Sequence, residues 1–154
     1  MAIVQVRIQG LMVDPYNQAY IVVLRPDEEG SDEELLPIWV GKPEANAIGL
    51  ALEHVETPRP MTHDLLRDVI ETLGARVLSV VVTDLVENTF FAKIHLLHGD
   101  GEVTVDARPS DAIALALRTE CPVFVESGVL TRNRTGEIEQ WLENLKPEDF
   151  GNMD

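Results

Sequence analysis

A chain of 154 residues with a formal net charge of −15 can bury one hydrophobic core, but it lacks a basic surface. A protein that holds nucleic acid mainly by neutralising phosphates needs such a surface, and here 12 Lys and Arg residues stand against 27 Asp and Glu residues. The charge does not exclude a metal-dependent nuclease, because the active site of such an enzyme must itself be rich in carboxylates.

One domain is the simplest organisation for a chain of this length. We expect it to span residues 1–130, followed by a C-terminal helix and tail over residues 131–154. The N-terminus lacks the basic region and apolar stretch of a signal peptide, and no run approaches the roughly 20 apolar residues of a membrane helix. We therefore expect a cytoplasmic protein that makes no membrane contact.

The first predicted unit along the chain is β-β-β-α, over about residues 3–55. An Asp-led turn at Asp14 separates two apolar stretches, which is typical of a β-hairpin. After a third strand, Pro43 is well placed at the first position of a helix. Lys42, the residue just before Pro43, is unexpected at the start of a helix, because a cation opposes the positive end of the helix dipole. Lys42 therefore either points into solvent or pairs with a carboxylate or a bound anion.

An amphipathic helix is predicted next, over about residues 62–74. Thr62 suits an N-cap, Gly74 suits the C-terminal end, and apolar residues recur between them at helical spacing. His63 and Asp64 stand in the first turn. Two interpretations stay open: Asp64 complements the helix dipole while His63 is solvated, or both belong to a functional site.

A second β-β-β-α unit, over about residues 76–126, repeats the first. The segment from Ala47 to Leu52 returns as the segment from Ala112 to Leu117. Self-similarity of this kind determines the architecture. We therefore predict an α+β fold in which duplicated units form a mixed, mainly antiparallel sheet with packed helices.

The strand-to-helix corner of the second unit carries more charge than the corner of the first. It contains Asp106, Arg108, Ser110 and Asp111, whereas neutral Val40 stands in the first corner where the second has Asp106. Carboxylates can hold Mg²⁺ or Mn²⁺ through oxygen, and a guanidinium offsets charge on a phosphodiester. The alternative is an internal salt bridge that ties the strand to its helix.

A terminal helix is predicted over residues 135–145. Its apolar residues fall on one face, which favours docking on the domain or on a partner chain over cofactor binding: Ile138, Trp141, Leu142 and Leu145. This stripe and the open sheet edges together indicate a homo-oligomer.

Three motifs, in chain order, resemble the bifunctional nuclease domain family. They are Leu36-Pro37-Ile38-Trp39-Val40-Gly41 with Glu44-Ala45, Pro60-Met61-Thr62-His63-Asp64-Leu65, and Val105-Asp106-Ala107-Arg108-Pro109-Ser110-Asp111-Ala112. The resemblance runs from about Val4 to Glu126. It implies an α+β domain with nuclease activity on both RNA and DNA. The family motifs direct attention to five candidate catalytic residues: His63, Asp64, Asp106, Arg108 and Asp111.

We therefore expect a nuclease that hydrolyses phosphodiester bonds with little sequence specificity. His63 would act as acid or base. A Mg²⁺ or Mn²⁺ ion would assist, and no organic cofactor is implied. The predicted metal ligands are Asp64, Asp106 and Asp111. The predicted substrate-binding residues are Lys42, Arg108 and Ser110.

The alternative function is a non-catalytic regulatory or binding module. In it, Lys42 and Arg108 would bind an anion or the carboxylate of a partner. The sequence has no pair of carboxylates at a fixed local spacing and no aromatic strip for stacking bases, and both observations weigh against the enzyme.

Overall fold

Runs rich in Val, Ile and Leu form the strands, as their preference for a pleated, half-buried surface predicts. In a computed structural model, the described residues are 2–14, 16, 18–27 and 35–133. The elements within them are β1 (Ile3–Asp14), β2 (Ala19–Pro26), β3 (Leu36–Val40), α1 (Lys42–Leu52), α2 (Thr62–Thr72), β4 (Ala75–Val86), β5 (Thr89–His98), β6 (Gly101–Ala107), α3 (Pro109–Thr119), β7 (Val123–Glu126) and α4 (Ser127–Asn133).

The described strands form one seven-stranded sheet in the order β3-β2-β1-β7-β4-β5-β6. Neighbouring strands are antiparallel, except that β7 runs parallel to β4. The predicted α+β class with a mixed, mainly antiparallel sheet is therefore confirmed. Strands β1 to β3 with α1, and β4 to β6 with α3, follow the predicted β-β-β-α order. That the two runs arose by duplication stays a prediction.

The hairpin between β4 and β5 turns through two residues with positive φ. Glu87 has φ 50° and Asn88 has φ 63°. Two left-handed residues in succession are the conformation that matches the twist of the flanking strands, and Asn tolerates it well. This turn places Asn88 beside the start of α3, where both line the same cavity.

Helix starts follow the sequence signals closely. Pro43 and Pro109 lie in the first turns of α1 and α3, each with an acidic residue close behind it. Thr62 is the first residue of α2 and not its N-cap. Met61 takes that place, and its backbone N–H donates to Asp64 Oδ2 at 3.0 Å. The side chain of Asp64 thus accepts from the N-cap backbone, which is the reciprocal half of a capping box.

The core lies between the sheet and the helices. Helix α3 packs against α1, α2 and strands β3, β4 and β5. Small side chains let α1 and α3 approach closely, because their facing residues include the buried alanines Ala45, Ala47, Ala112, Ala114 and Ala116. The alanine-rich repeat therefore serves as a packing surface.

Helix α2 turns part of its polar side toward the domain. His63 is buried at 8% exposure, while Leu65, Val69 and Leu73 are 55%, 46% and 69% exposed. An amphipathic pattern usually places the apolar side inward. Here the contacts of His63 and Asp64 with α3 determine the orientation. The interpretation of His63 as a solvated first-turn residue is therefore wrong.

The described chain ends in α4, whose Val129 and Leu130 are part of the core. The helix predicted over residues 135–145 lies outside the described residues, as does most of the acidic loop before β3. Among the described helices, none has the length and apolarity needed to cross a membrane. The cytoplasmic location stays a prediction.

Candidate active site

A chain of hydrogen bonds joins the first turns of α1, α2 and α3. His63 Nε2 lies 2.9 Å from Asp111 Oδ1. Arg108 Nε donates to Asp111 Oδ2 at 2.9 Å, and Arg108 Nη2 lies 2.7 Å from Glu44 Oε1. We call these four residues, Glu44, His63, Arg108 and Asp111, the charged cluster.

The charged cluster explains why a cation stands at the N-terminus of α3. Arg108 is the N-cap residue of that helix, where the dipole alone opposes it. Two carboxylates offset this, since Arg108 pairs with Asp111 in its own helix and with Glu44 in α1. Of the two alternatives left open, an internal salt bridge is formed. Its partner in α1 is Glu44, which the sequence indicated only as a first-turn acid.

The protonation states within the charged cluster follow from these contacts. Burial opposes ionisation of Asp111, but hydrogen bonds from His63 and Arg108 outweigh it and hold the pKa of its carboxyl below the usual range. Hydrogen bonds to Asp111 and Glu44 raise the pKa of Arg108. Asp111 is therefore an anion and Arg108 a cation at neutral pH.

Arg108 remains available to a ligand despite its two partners. Its side chain is 66% exposed, and its Nη1 makes no hydrogen bond to any residue that the structure describes. The charged cluster opens into a cavity of about 260 Å³, which we call the cluster cavity. Its lining also includes Pro43, Asn46, Ala47, Leu50, Met61 and Thr62.

A second ion pair fixes α2 on the domain. Arg118, only 6% exposed, donates from Nε to Asp64 Oδ1 at 2.7 Å. Its Nη1 and Nη2 donate to the backbone oxygens of Ala114 and Ala47, at 2.9 and 3.0 Å. One buried guanidinium therefore binds α1, α2 and α3 together.

These contacts favour the structural interpretation of Asp64. Burial raises the pKa of Asp64, but the Met61 N–H and Arg118 lower it by more. The pKa of the carboxyl therefore lies below its usual range. Arg118 was missed by the sequence reasoning. No sequence signal distinguished it, because the helix dipole ordinarily explains a basic residue in the last turn of a helix.

The three predicted metal ligands lie in different surroundings. Asp64 pairs with Arg118, Asp111 pairs with His63 and Arg108, and Asp106 is exposed on β6 opposite Lys93 of β5. Within residues 2–14, 16, 18–27 and 35–133, no three His, Cys, Asp or Glu side chains are grouped so that they could hold a metal ion. A single site built from all three carboxylates is therefore not formed, and a metal requirement stays a prediction.

The three predicted substrate-binding residues, Lys42, Arg108 and Ser110, lie at different places in the structure. Lys42 is exposed at the start of α1. Ser110 is buried at 6% exposure and lines a second cavity, of about 270 Å³, which we call the serine cavity. Arg108 lines both the cluster cavity and the serine cavity. The structure therefore places Arg108 at the boundary between two concave surfaces.

The amino-acid sequence is similar to the sequences of several known proteins. An uncharacterized protein of Mycobacterium tuberculosis (strain ATCC 25618 / H37Rv) is 39% identical over 166 residues, covering 95% of this chain and 97% of the relative. Bifunctional nuclease 1 of Oryza sativa subsp. japonica is 32% identical over 109 residues, which cover 69% of this chain and 33% of the relative. Bifunctional nuclease 2 of Arabidopsis thaliana is 35% identical over 94 residues, 59% of this chain and 29% of the relative.

The chain thus spans about a third of the length of these plant relatives. The family profile described as the bifunctional nuclease domain matches residues 22–137, which include all four residues of the charged cluster and the Asp64–Arg118 pair. The chain belongs to the bifunctional nuclease domain family.

Proposed function

We propose that the chain is a nuclease that hydrolyses phosphodiester bonds of RNA and DNA, with little sequence specificity, in the cluster cavity. Membership of the family and the names of the plant relatives support this proposal. The observation that carries it is the exposed guanidinium of Arg108 beside an imidazole–carboxylate pair in one cavity. A cation for the phosphate and a proton acceptor are the two groups that such hydrolysis needs.

The hydrogen bond between His63 and Asp111 supports a role for His63 as the acid–base group. Ionised Asp111 can only accept, so Nε2 of a neutral His63 carries the proton of the 2.9 Å hydrogen bond. The remaining ring nitrogen, Nδ1, is then the basic one. When water attacks phosphorus, Nδ1 would take the water proton and the bond from phosphorus to the leaving oxygen would break. The leaving oxygen would take a proton from solvent. Arg108 would stabilise the charge that develops on the phosphoryl oxygens.

The test is a cleavage assay on highly purified protein with single-stranded RNA and DNA, with and without chelator. His63→Gln and Asp111→Asn should each lower kcat by about 100-fold or more, the usual contribution of a general acid–base group. Arg108→Ala, which removes the cation, belongs in the same assay. Arg76→Ala is its matched control for the loss of a surface charge, because Arg76 is exposed on β4 and lines none of the described cavities.

Two results would contradict the proposal that the chain is an enzyme. One is activity that disappears as purification proceeds, and the other is full activity in folded His63→Gln and Asp111→Asn variants. The chelator arm tests the predicted Mg²⁺ or Mn²⁺ dependence separately. Asp106→Ala tests the remaining predicted catalytic carboxylate, since unchanged cleavage would exclude it from the chemistry.

A non-catalytic binding module is the second candidate. The observation in its favour is that Arg108 and Asp111 already neutralise each other within the domain. In that case the protein would bind oligonucleotides or another anion through Arg108 and cleave none of them. Binding that is lost in Arg108→Ala, without cleavage by the wild-type protein, would select this function.

A further inference from the structure

The serine cavity differs in its lining from the other described cavities. Among the residues that the structure describes, Arg108 is the only charged one in this lining, and none is a carboxylate. The cluster cavity contains Glu44 and Asp111, and two further cavities near the ends of α1 and α3 both contain Glu120. Glu44 and Asp111 offset the charge of Arg108 from outside this lining. The cavity therefore favours a ligand rich in hydrogen-bond acceptors, such as an anion, through its donors and not through net positive charge.

Ser110 gives the serine cavity an unused hydrogen-bond donor. The residue is 94% buried, since its exposure is 6%, and it lines the cavity. Its hydroxyl makes no hydrogen bond to another residue in the described part of the chain. Because Ser110 lines the cavity and its hydroxyl has no described protein partner, this donor is available to a ligand or to water.

The backbone adds a donor at the serine cavity through Ser110, whereas Asp111 lines the cluster cavity. Ser110 is in the first turn of the eleven-residue helix α3, whose first internal hydrogen bond runs from Ala112 N to Arg108 O. Pro109 has no N–H, so the N–H groups of Ser110 and Asp111 are the first donors of this helix and have no acceptor within it. Such groups, together with the helix dipole, suit an oxyanion.

Two side chains complete the set of donors around the serine cavity. The Asn88 amide comes from the tight turn between β4 and β5, and the Arg108 guanidinium comes from the N-cap of α3. Hydroxyl, amide, guanidinium and backbone N–H donors facing one cavity match the acceptor oxygens of a phosphate group.

We infer that the serine cavity is a phosphate subsite, distinct from the cluster cavity. The serine cavity holds one phosphate group of the strand, while Arg108, at the boundary, also contacts the neighbouring phosphate that is to be cleaved in the cluster cavity. This inference rests on the proposed function in one respect, namely that the ligand is a nucleic-acid strand. The geometry of the subsite is independent of cleavage, because neither His63 nor Glu44 lines it.

The test measures binding, so that it does not depend on turnover. Short thymidylate strands, with and without a 5′-phosphate, and inorganic phosphate are titrated into the full chain, and dissociation constants are measured by calorimetry. Ser110→Ala should weaken binding of the 5′-phosphorylated strand by about tenfold, the effect of one hydrogen bond to a charged acceptor. The amide resonances of Ser110 and Asp111 should shift on binding.

Two more variants keep the result interpretable. Ser79→Ala, at a half-buried serine of β4 that lines none of the described cavities, is the control and should bind like the wild type. Asn88→Gly removes the amide but tolerates the positive φ of that position. It should weaken binding in the same direction, and it substitutes for Ser110→Ala if that variant does not fold.

The outcomes separate this inference from the proposed function. Weaker strand binding in Ser110→Ala with unchanged binding in Ser79→Ala supports the subsite, even in a protein that cleaves nothing. If the substitution weakens only inorganic phosphate and leaves the strand unaffected, the cavity takes free phosphate and the strand subsite is overturned. Equal binding of the phosphorylated strand by wild-type, Ser110→Ala and Asn88→Gly proteins also overturns it.

Discussion

Asp111 is the residue on which the charged cluster depends. It accepts hydrogen bonds from His63 of α2 and from Arg108 at the start of its own helix. Arg108 in turn reaches Glu44 of α1. A single carboxylate thus links His63 to Arg108, and its ionisation affects the stability of the fold.

The lowered pKa of Asp111 has a predictable effect on stability. Because the folded value lies below the unfolded value, this carboxylate stabilises the fold at all pH values above about 4. Stability is lost as the pH falls through the folded value, below pH 4. In Asp111→Asn that contribution is absent at every pH. Denaturant unfolding at pH 7 and pH 3 should therefore show a larger loss on acidification in the wild type than in the variant.

The control for this prediction is Asp100→Asn, at an exposed turn residue between β5 and β6. Asp100→Asn should behave like the wild type at both pH values. An equal loss of stability on acidification in wild type and Asp111→Asn would contradict the assigned shift.

At the scale of elements, α2 is attached to the domain by polar contacts as well as by Ile70, which packs against the core. His63 and Asp64 bind residues of α3, while three of its large apolar side chains stay exposed. The Arg118 guanidinium satisfies both the Asp64 carboxylate and a carbonyl of α1. The position of His63 relative to Asp111 therefore depends on an ion pair one turn away from the candidate active site.

Removing this ion pair should be more costly than removing an apolar side chain of α2. Arg118→Leu leaves the partly buried Asp64 without its cation, and breaking a buried pair from one side typically costs about 3–5 kcal/mol. Leu65→Ala should change the free energy of unfolding by less than about 0.5 kcal/mol, because Leu65 is already 55% exposed. Urea unfolding of the two variants measures both values.

The opposite order would contradict this account of α2. An amphipathic helix packed through its apolar side would lose more stability in Leu65→Ala than in Arg118→Leu. Arg118→Lys is a useful intermediate, since it keeps the charge but cannot donate to three acceptors in the same planar arrangement.

At the scale of the whole molecule, the chain is strongly acidic. It carries −15 overall, and Arg108 lines two cavities, one of which has no carboxylate among its described lining residues. If the proposed nucleic-acid substrate binds, the acidic surface would repel it over long distances, so binding would depend on short-range contacts at the cavities.

Self-association stays a prediction at this scale. We expect a mass above the 17.1 kDa of one chain in light scattering. Because each copy is strongly acidic, repulsion between copies weakens as salt screens it, and the mass should rise as ionic strength increases from low to moderate. A constant mass of one chain over this range would reject the homo-oligomer. A protein partner for the predicted helix over residues 135–145 is likewise untested.

Much of the fold followed from local signals in the sequence. Pro43 and Pro109 indicated where α1 and α3 begin, and the alternation of apolar stretches with turns indicated the hairpins. The parallel contact between β7 and β4 was not indicated, because it joins segments about 40 residues apart and leaves no local pattern.

The candidate site was predicted less completely. His63, Arg108 and Asp111 converge as the family motifs suggested, whereas Asp106 lies on the exposed edge strand and Asp64 is bound by Arg118. Spacing along the chain showed that Asp106 and Asp111 flank Arg108. It could not show that the strand and the helix direct their side chains to different surroundings.

The sequence by itself determined the two similar strand-to-helix corners, the types of the elements from β1 to α3 and the family, because these depend on residue preferences and short motifs. It did not indicate β7 or α4. Only the tertiary structure decided that Arg108 pairs with Glu44, that Arg118 holds Asp64, and that Ser110 faces a cavity without carboxylates. The physical reason is that charges buried between helices choose partners by distance and burial, and both arise only when α1, α2 and α3 pack on the sheet.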